Sequence, residues 1–208
     1  MNWPDIRGWC ADCDRDYLCE AIVASQARTA VEIGVYAGRM TVALAAGVRR
    51  TGGILHSVDD WTEMGAEGPG VARQFLDALT RYGLQDVVRI HAETSAEFAA
   101  RWGARPVDLV WIDGSHRYED VLADLAWWQP LAAQCYGHDW HMDDVRRAAE
   151  EYASGHGRSA HKITGTDNIW TVSGPGVVGP RLWGSSWELP PMGAAPVACS
   201  AIRHEGLR

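Results

Sequence analysis

The chain has 208 residues, 47% hydrophobic and 22% charged, enough for one α/β domain with a real core and too few for a second. A formal net charge of -8 and a pI near 5.4 argue against a nucleic-acid partner, because neutralising phosphates takes clustered Lys and Arg that this sequence lacks. No apolar run reaches the length of a membrane span, and Met1-Asn2-Trp3-Pro4-Asp5 has no basic or apolar leader, so a soluble cytoplasmic protein off the membrane is expected.

Strand-like and helix-like segments alternate along the chain, the pattern of βαβ units around a parallel sheet. A first strand is expected over 30–33, then a nearly wholly apolar, buried helix over 39–48. After Thr51-Gly52-Gly53 a second strand over 54–58 closes on Asp59-Asp60-Trp61. A mobile-looking segment over 63–70 leads into a helix through Phe75 and Leu79. Residues 87–90 read as a third strand and 96–102 as a helix.

The clearest strand is Val107-Asp108-Leu109-Val110-Trp111-Ile112, which runs into Asp113-Gly114-Ser115-His116. A helix over 118–129 follows, with Val121, Leu122, Leu125 and Trp128 on one stripe and Pro130 as its stop. A short fifth strand is expected over 134–136, before Gly137-His138-Asp139-Trp140. Val145, Ala148, Ala149 and Tyr152 then mark an amphipathic helix, with Arg146/Glu150 and Arg147/Glu151 as exposed pairs four apart. Two closing strands are expected over 161–164 and 168–172.

From Ser173 onward Gly174-Pro175-Gly176, Gly179-Pro180, Pro190-Pro191 and Pro196 exclude regular elements. The chain therefore divides into a domain over 1–172 and a tail over 173–208. Trp183 and Trp187 in that tail suggest docking on the body or on a second subunit, making a homo-oligomer. The other tryptophans, of eleven in all, read as core and pocket walls. Five cysteines without framework spacing point to free thiols, and Cys10-x-x-Cys13 has no second pair to complete a tetrahedral metal site.

The stretch Glu32-Ile33-Gly34-Val35-Tyr36-Ala37-Gly38-Arg39 joins the first strand to the following helix through a glycine-punctuated turn. Glycines there let the backbone bend and approach a ligand, and the helix start offers unpaired N–H groups. Tyr36 and Arg39 stand where a dinucleotide fingerprint needs glycine, so a pyrophosphate is not accommodated. Glu32 would repel phosphate and accept hydrogen bonds from an ammonium or hydroxyl. S-adenosyl-L-methionine, a cationic nucleoside without phosphate, fits that loop; a bland strand-turn-helix is the alternative.

Ligands of such sheets bind beyond the carboxyl ends of the strands. Asp59 or Asp60 can take both ribose hydroxyls, or serve as a turn acid. Glu93-Thr94-Ser95 can hydrogen-bond an adenine edge, or cap the next helix. Asp113, His138 and Asp139 close the fourth and fifth strands, about 5 Å apart as sheet neighbours. They can hold a divalent cation, magnesium or, with His138 coordinating, manganese, iron or zinc. In the metal-free alternative His138 or His116 is a general base. In the null case the two acids merely cap strand ends.

Glu32-x-Gly34-x-x-x-Gly38-Arg39, Val58-Asp59-x-Trp61, the element from Val107 to Tyr118 with Ile112-Asp113-Gly114-x-His116-x-Tyr118, Asp124, and Gly137-His138-Asp139-Trp140 together resemble class I S-adenosylmethionine-dependent methyltransferases. The similarity is to the branch with macrocin O-methyltransferase-like and cephalosporin hydroxylase-like proteins, and Ile6-x-Gly8-Trp9 and Asn168-Ile169-Trp170 share it. The resemblance implies a Rossmann-like three-layer α/β sandwich, with a seven-stranded, mostly parallel sheet of order 3-2-1-4-5-7-6 and an antiparallel last strand. It implies Asp59 on the ribose, the loop over 34–38 around the methionine part, and Asp113 near the sulfonium or a metal. Relatives carry an acid where this chain has His138, and a longer fifth strand.

These readings place Glu32, Gly34, Tyr36, Gly38, Asp59, Trp61, Glu93, Thr94, Ser95 and Asp113 around the cofactor. Asp113, His116 and His138 are the catalytic candidates, and Asp113, His138 and Asp139 the candidate ligands of magnesium or manganese. The expected activity is O-methylation of a small hydroxylated acceptor. The alternative is a catalytically silent methyltransferase-like subunit of a tailoring complex.

Overall fold

A computed structural model describes residues 3–174. The expected tail over 173–208, with Trp183 and Trp187, lies outside the described residues apart from its first two positions. Seven strands, β1 (Thr29–Ile33), β2 (Ile54–Val58), β3 (Val88–His91), β4 (Val107–Ile112), β5 (Ala132–Gly137), β6 (Ser159–Lys162) and β7 (Trp170–Ser173), form one sheet. Their order is β3-β2-β1-β4-β5-β7-β6. β1 to β5 pair in parallel, while β7 runs antiparallel to both β5 and β6. Helices α1 (Asp12–Ser25), α2 (Arg39–Thr51), α3 (Gly68–Arg81), α4 (Ser95–Trp102), α5 (Tyr118–Trp128) and α6 (Asp143–Gly155) complete the α/β sandwich.

Two apolar layers hold it together. On one face Leu18 and Ile22 of α1, Leu44 of α2 and Phe75 of α3 pack with Leu55, Leu109 and Trp111 of the sheet. On the other, Phe98, Leu125, Trp128 and Ala149 pack with Val31, Val110 and Trp170. β1 and β4 carry buried residues on both faces, which is why their sequences read as apolar runs instead of alternating. Each such buried Leu, Val or Phe contributes about 1.5–3 kcal/mol of transfer free energy.

α1 leaves no clear signal in the sequence because Asp14 and Arg15 are buried alongside Tyr17, Leu18 and Ile22, so charges interrupt the apolar stripe. The segment over 63–70 is a 3₁₀ turn, Thr62–Glu67, followed directly by α3. β5 is six residues long, and its pairing from Val107 with Ala132 to Ile112 with Gly137 delivers His138 beside the end of β4. On α6 the expected pairs four apart are replaced by pairs three apart, Arg146 with Asp143 and Arg147 with Asp144, because acids occupy the first turn. Cys10, Cys19 and Cys135 are free thiols. Among the described residues no helix is long and apolar enough to cross a membrane.

Candidate active site

A cleft of about 770 Å³ opens over the carboxyl ends of β1, β2, β4 and β5, a volume suited to a small ligand. Its floor depends on Gly34, at φ 86°, because a Cβ there would sit 2.1 Å from the Asp113 carbonyl oxygen and 2.6 Å from the Gly114 Cα. The glycine thus lets the β1 and β4 exits touch. Gly38, at φ 90°, begins α2 without a side-chain cap. Among the described residues four non-glycine residues have positive φ, and three of them, Tyr36, Trp61 and Asp139, line this cleft. Backbone strain of that kind concentrates at functional sites.

Asp59 lines the cleft where expected, but its carboxylate is largely committed. Oδ2 accepts the N–H groups of Val35 and Tyr36 at 2.8 and 2.9 Å, and Oδ1 accepts that of Trp61 at 2.7 Å. A carboxylate offers about four acceptor positions. Three taken by the loop leave too few for Asp59 alone to grip two ribose hydroxyls. Asp60, also in the lining, binds the Thr62 N–H and hydroxyl through Oδ1 only. Trp61 donates its indole N–H to the Tyr36 carbonyl at 2.9 Å, and Tyr36 packs its ring on exposed Trp9 at 4.8 Å.

Glu32 departs from its expected role. It is fully buried beneath the loop and does not line the cleft. The hydroxyls it accepts belong to the protein: Thr41 at 3.0 Å and Ser57 at 2.7 Å. Burial pushes its pKa up to about 8 despite these bonds, so at neutral pH it is mainly a neutral acid. Glu93, Thr94 and Ser95 do line the cleft, yet each has an internal partner. Glu93 pairs with Arg101. Thr94 and Glu97 form a reciprocal capping box at the start of α4. Ser95 donates to Asp124, whose pKa burial raises to about 6.

At the ends of β4 and β5 the structure gathers Asp113, His116, His138 and Asp139, and adds two residues not expected from sequence, Asp14 and Cys10. His138 Nδ1 lies 3.3 Å from Asp139 Oδ2 and 3.5 Å from Asp113 Oδ1, while its Nε2 lies 3.4 Å from Asp14 Oδ2. Burial works against a charge on this ring, but Asp113 and Asp139 outweigh it and hold the pKa far above the ordinary histidine value. With both nitrogens facing carboxylates that favour the protonated ring, His138 is poorly suited to be a general base. His116, half-exposed, places Nε2 2.8 Å from Asp139 Oδ2. That bond raises its pKa, against the opposing effect of burial. Asp113 is raised by burial, and the buried Cys10 thiol donates to its Oδ2 at 3.6 Å.

Positioning is equally specific. The Trp170 indole lies across Gly137, where a Cβ would come within 2.1 Å of Cζ2, and donates to the His138 carbonyl at 2.5 Å. Asp14 accepts the Asp167 N–H at 2.7 Å through Oδ1, tying α1 to the approach of β7. Arg39 donates to the carbonyls of Cys10 and Ile6 at 2.6 and 2.8 Å, which fastens the segment before α1 across the loop. The signal that could have found Asp14 is a buried acid in a helix that also buries Arg15, visible only once α1 is packed.

The expected cation set of Asp113, His138 and Asp139 does not fit a metal, because both nitrogens of His138 face carboxylates that hold the ring as a cation, and a protonated nitrogen cannot coordinate one. Among the described residues two clusters have ligand atoms within 4.8 Å of one another: Cys10, Asp113 and His138, and Asp113, His116 and Asp139. The first contains the same His138 ring, held as a cation by its carboxylates. In the second, Nε2 of His116 is already bound to Asp139.

The lining carries eight carboxylates against two guanidinium groups, and those, Arg39 and Arg117, are paired within the protein. The field favours a positively charged ligand. A family model described as a methyltransferase domain matches residues 31–145, more than half of the chain. The chain belongs to this methyltransferase family. Within the methyltransferase domain the matched stretch runs from β1 into α6 and contains the glycine loop, Asp59, Asp113, His116, His138 and Asp139.

Solved structures share the fold. They include cofactor-bound Rv0187 from MTB (TM-score 0.63, 23% identity, covering 82% of this chain and 83% of that one). An O-methyltransferase from Bacillus cereus in complex with SAH is similar too (0.59, 20%, 76% and 79%). So is the O-methyltransferase TomG from Streptomyces achromogenes, involved in tomaymycin synthesis and in complex with SAM (0.59, 20%, 76% and 77%). No curated protein sequence matches the methyltransferase chain.

Proposed function

We propose that this chain transfers a methyl group from S-adenosylmethionine to a hydroxyl oxygen of a small acceptor. The observation that carries the reading is one acidic cleft lined by the loop over 34–38, by Asp59 to Trp61, and by Asp113, His116 and Asp139. The similar folds solved with SAM and SAH support the choice of donor. When bound, S-adenosylmethionine supplies a methyl group on a positively charged sulfur with a good leaving group already in place. The loop would hold its methionine part, Asp60 with the remaining capacity of Asp59 its ribose, and the 93–95 segment its adenine.

The protein then has two tasks, positioning and proton removal. His116 is suited to the second. Its Nε2–H donated to Asp139 fixes the tautomer and leaves Nδ1 to accept the acceptor's hydroxyl proton, while Asp139 stabilises the imidazolium that forms. The silent-subunit alternative rests on a short fifth strand and on the tryptophans of the tail; β5 runs over Ala132–Gly137, and Trp183 and Trp187 lie outside the described residues.

The test is incubation with methyl-labelled S-adenosylmethionine and a panel of small phenols and aliphatic alcohols, read by mass spectrometry. Labelled methoxy product supports the reading. Label appearing only on nitrogen or carbon acceptors, or donor binding without transfer to any class, overturns it.

A further inference from the structure

Three carboxylates from three parts of the chain converge on one histidine. Asp14 comes from α1 and is fully buried, Asp113 follows β4, and Asp139 follows β5. All three stand within 3.5 Å of a nitrogen of buried His138. A neutral imidazole has one N–H and one lone pair, so on one side it would set a lone pair against a carboxylate. Only the imidazolium turns positive charge, and no lone pair, towards all three; the approach of Nε2 to Asp14 is an ion pair without hydrogen-bond geometry. The other groups facing the ring are the Cys10 thiol, bonded to Asp113, and the Trp111 indole with its ring centre 5.7 Å away. Among the described residues His138 is the one cation ion-paired with Asp113 or Asp14; Asp139 adds His116 and His141 at the cleft side.

We propose that His138 is the chain's own cation: an imidazolium held between Asp14, Asp113 and Asp139 takes the charge-neutralising place of a divalent ion, so the cleft works without a metal. His138 is a positioning residue in this account. Its charge keeps Asp113 and Asp139 together despite their like charge, and Asp139 in turn orients His116. The purpose of that charge rests on the methyl-transfer reading, but the charge itself is tested without cofactor or acceptor.

Nitrogen-15 NMR of labelled histidine reads the ring directly. The expected result is a His138 with both nitrogens protonated from about pH 6 to about pH 9, where an ordinary histidine loses a proton. A singly protonated, titrating His138 overturns the proposal. Titration with Mn2+ followed by electron paramagnetic resonance should leave the wild-type protein with the signal of free Mn2+ only, and one tightly bound Mn2+ per chain overturns it. His138→Asp empties the place and lines it with acids, so it should gain stoichiometric Mn2+ binding; a folded variant that takes none counts against the proposal. Should that variant not fold, Asp14→Asn serves instead, with the expected result that the His138 titration moves down towards neutral pH, and an unmoved titration counts against the proposal.

Discussion

The backbone N–H of Tyr36 donates to Oδ2 of Asp59 at 2.9 Å, joining a loop residue held at φ 52° to the end of the neighbouring strand. Asp59 is thereby the brace of the glycine loop, since the same oxygen takes the Val35 N–H and the other takes that of Trp61. Asp59→Ala strands three donors at once. Each charge-assisted bond is worth about 1.5–3 kcal/mol, with shared solvent compensation. A loss of about 2–4 kcal/mol in denaturant unfolding is expected, with donor affinity at least tenfold weaker. An unchanged unfolding midpoint would refute the brace.

Gly34→Ala should be worse, because its Cβ has nowhere to go. The new atom would lie 2.1 Å from a backbone oxygen at a φ that side chains avoid. A destabilisation of at least about 3 kcal/mol is expected, or failure to fold. Thermal melting measures it, and a near-native melting temperature would show that the β1 and β4 exits can separate.

Glu32 makes stability depend on pH. Its folded pKa of about 8 lies above the ordinary 4.5, so between those values the folded chain retains a proton that the unfolded chain has lost. Stability should therefore fall as pH rises from about 4.5 to about 8 and then level off, by at most about 1.4 kcal/mol per pH unit from this group. Glu32→Gln keeps the shape without the titration. Its stability relative to wild type should improve steadily over that window, as urea unfolding at several pH values would show. A constant difference would mean that Glu32 is ionised throughout.

In the proposed transfer His116 removes the proton and so sets the rate. Asp139 raises its pKa, so the basic form accumulates only above the ordinary histidine range and the kcat profile should rise through neutral to mildly alkaline pH. His116→Gln should lower kcat by about 10²–10⁴ while donor binding, read by calorimetry, stays the same. Equal losses in binding and turnover would assign His116 to binding instead of proton transfer.

How much of this was legible in the sequence follows from where each signal is written. β4 and its closing Asp113 stand out because a run of six with only Asp108 polar, followed by an acid and a glycine, has few other readings. The Thr94-Ser95-Ala96-Glu97 capping box is local, hence readable. Glu32 was misplaced because an acid before a glycine bend looks alike whether it faces a ligand or the protein's own hydroxyls. Its partners Thr41 and Ser57 lie on α2 and β2. Asp14 was illegible for the same reason at longer range, since only the packing of α1 against the end of β5 gives it a role. His138 was seen as a ligand or base because its third carboxylate was out of view.

The most direct test of the whole account is isothermal titration of the protein with S-adenosylmethionine, run beside NAD. Saturable one-to-one binding with a Kd below about 1 mM, more favourable than about -4.1 kcal/mol, and no heat with NAD is the predicted result. No binding at millimolar S-adenosylmethionine, or binding of NAD in its place, would contradict it.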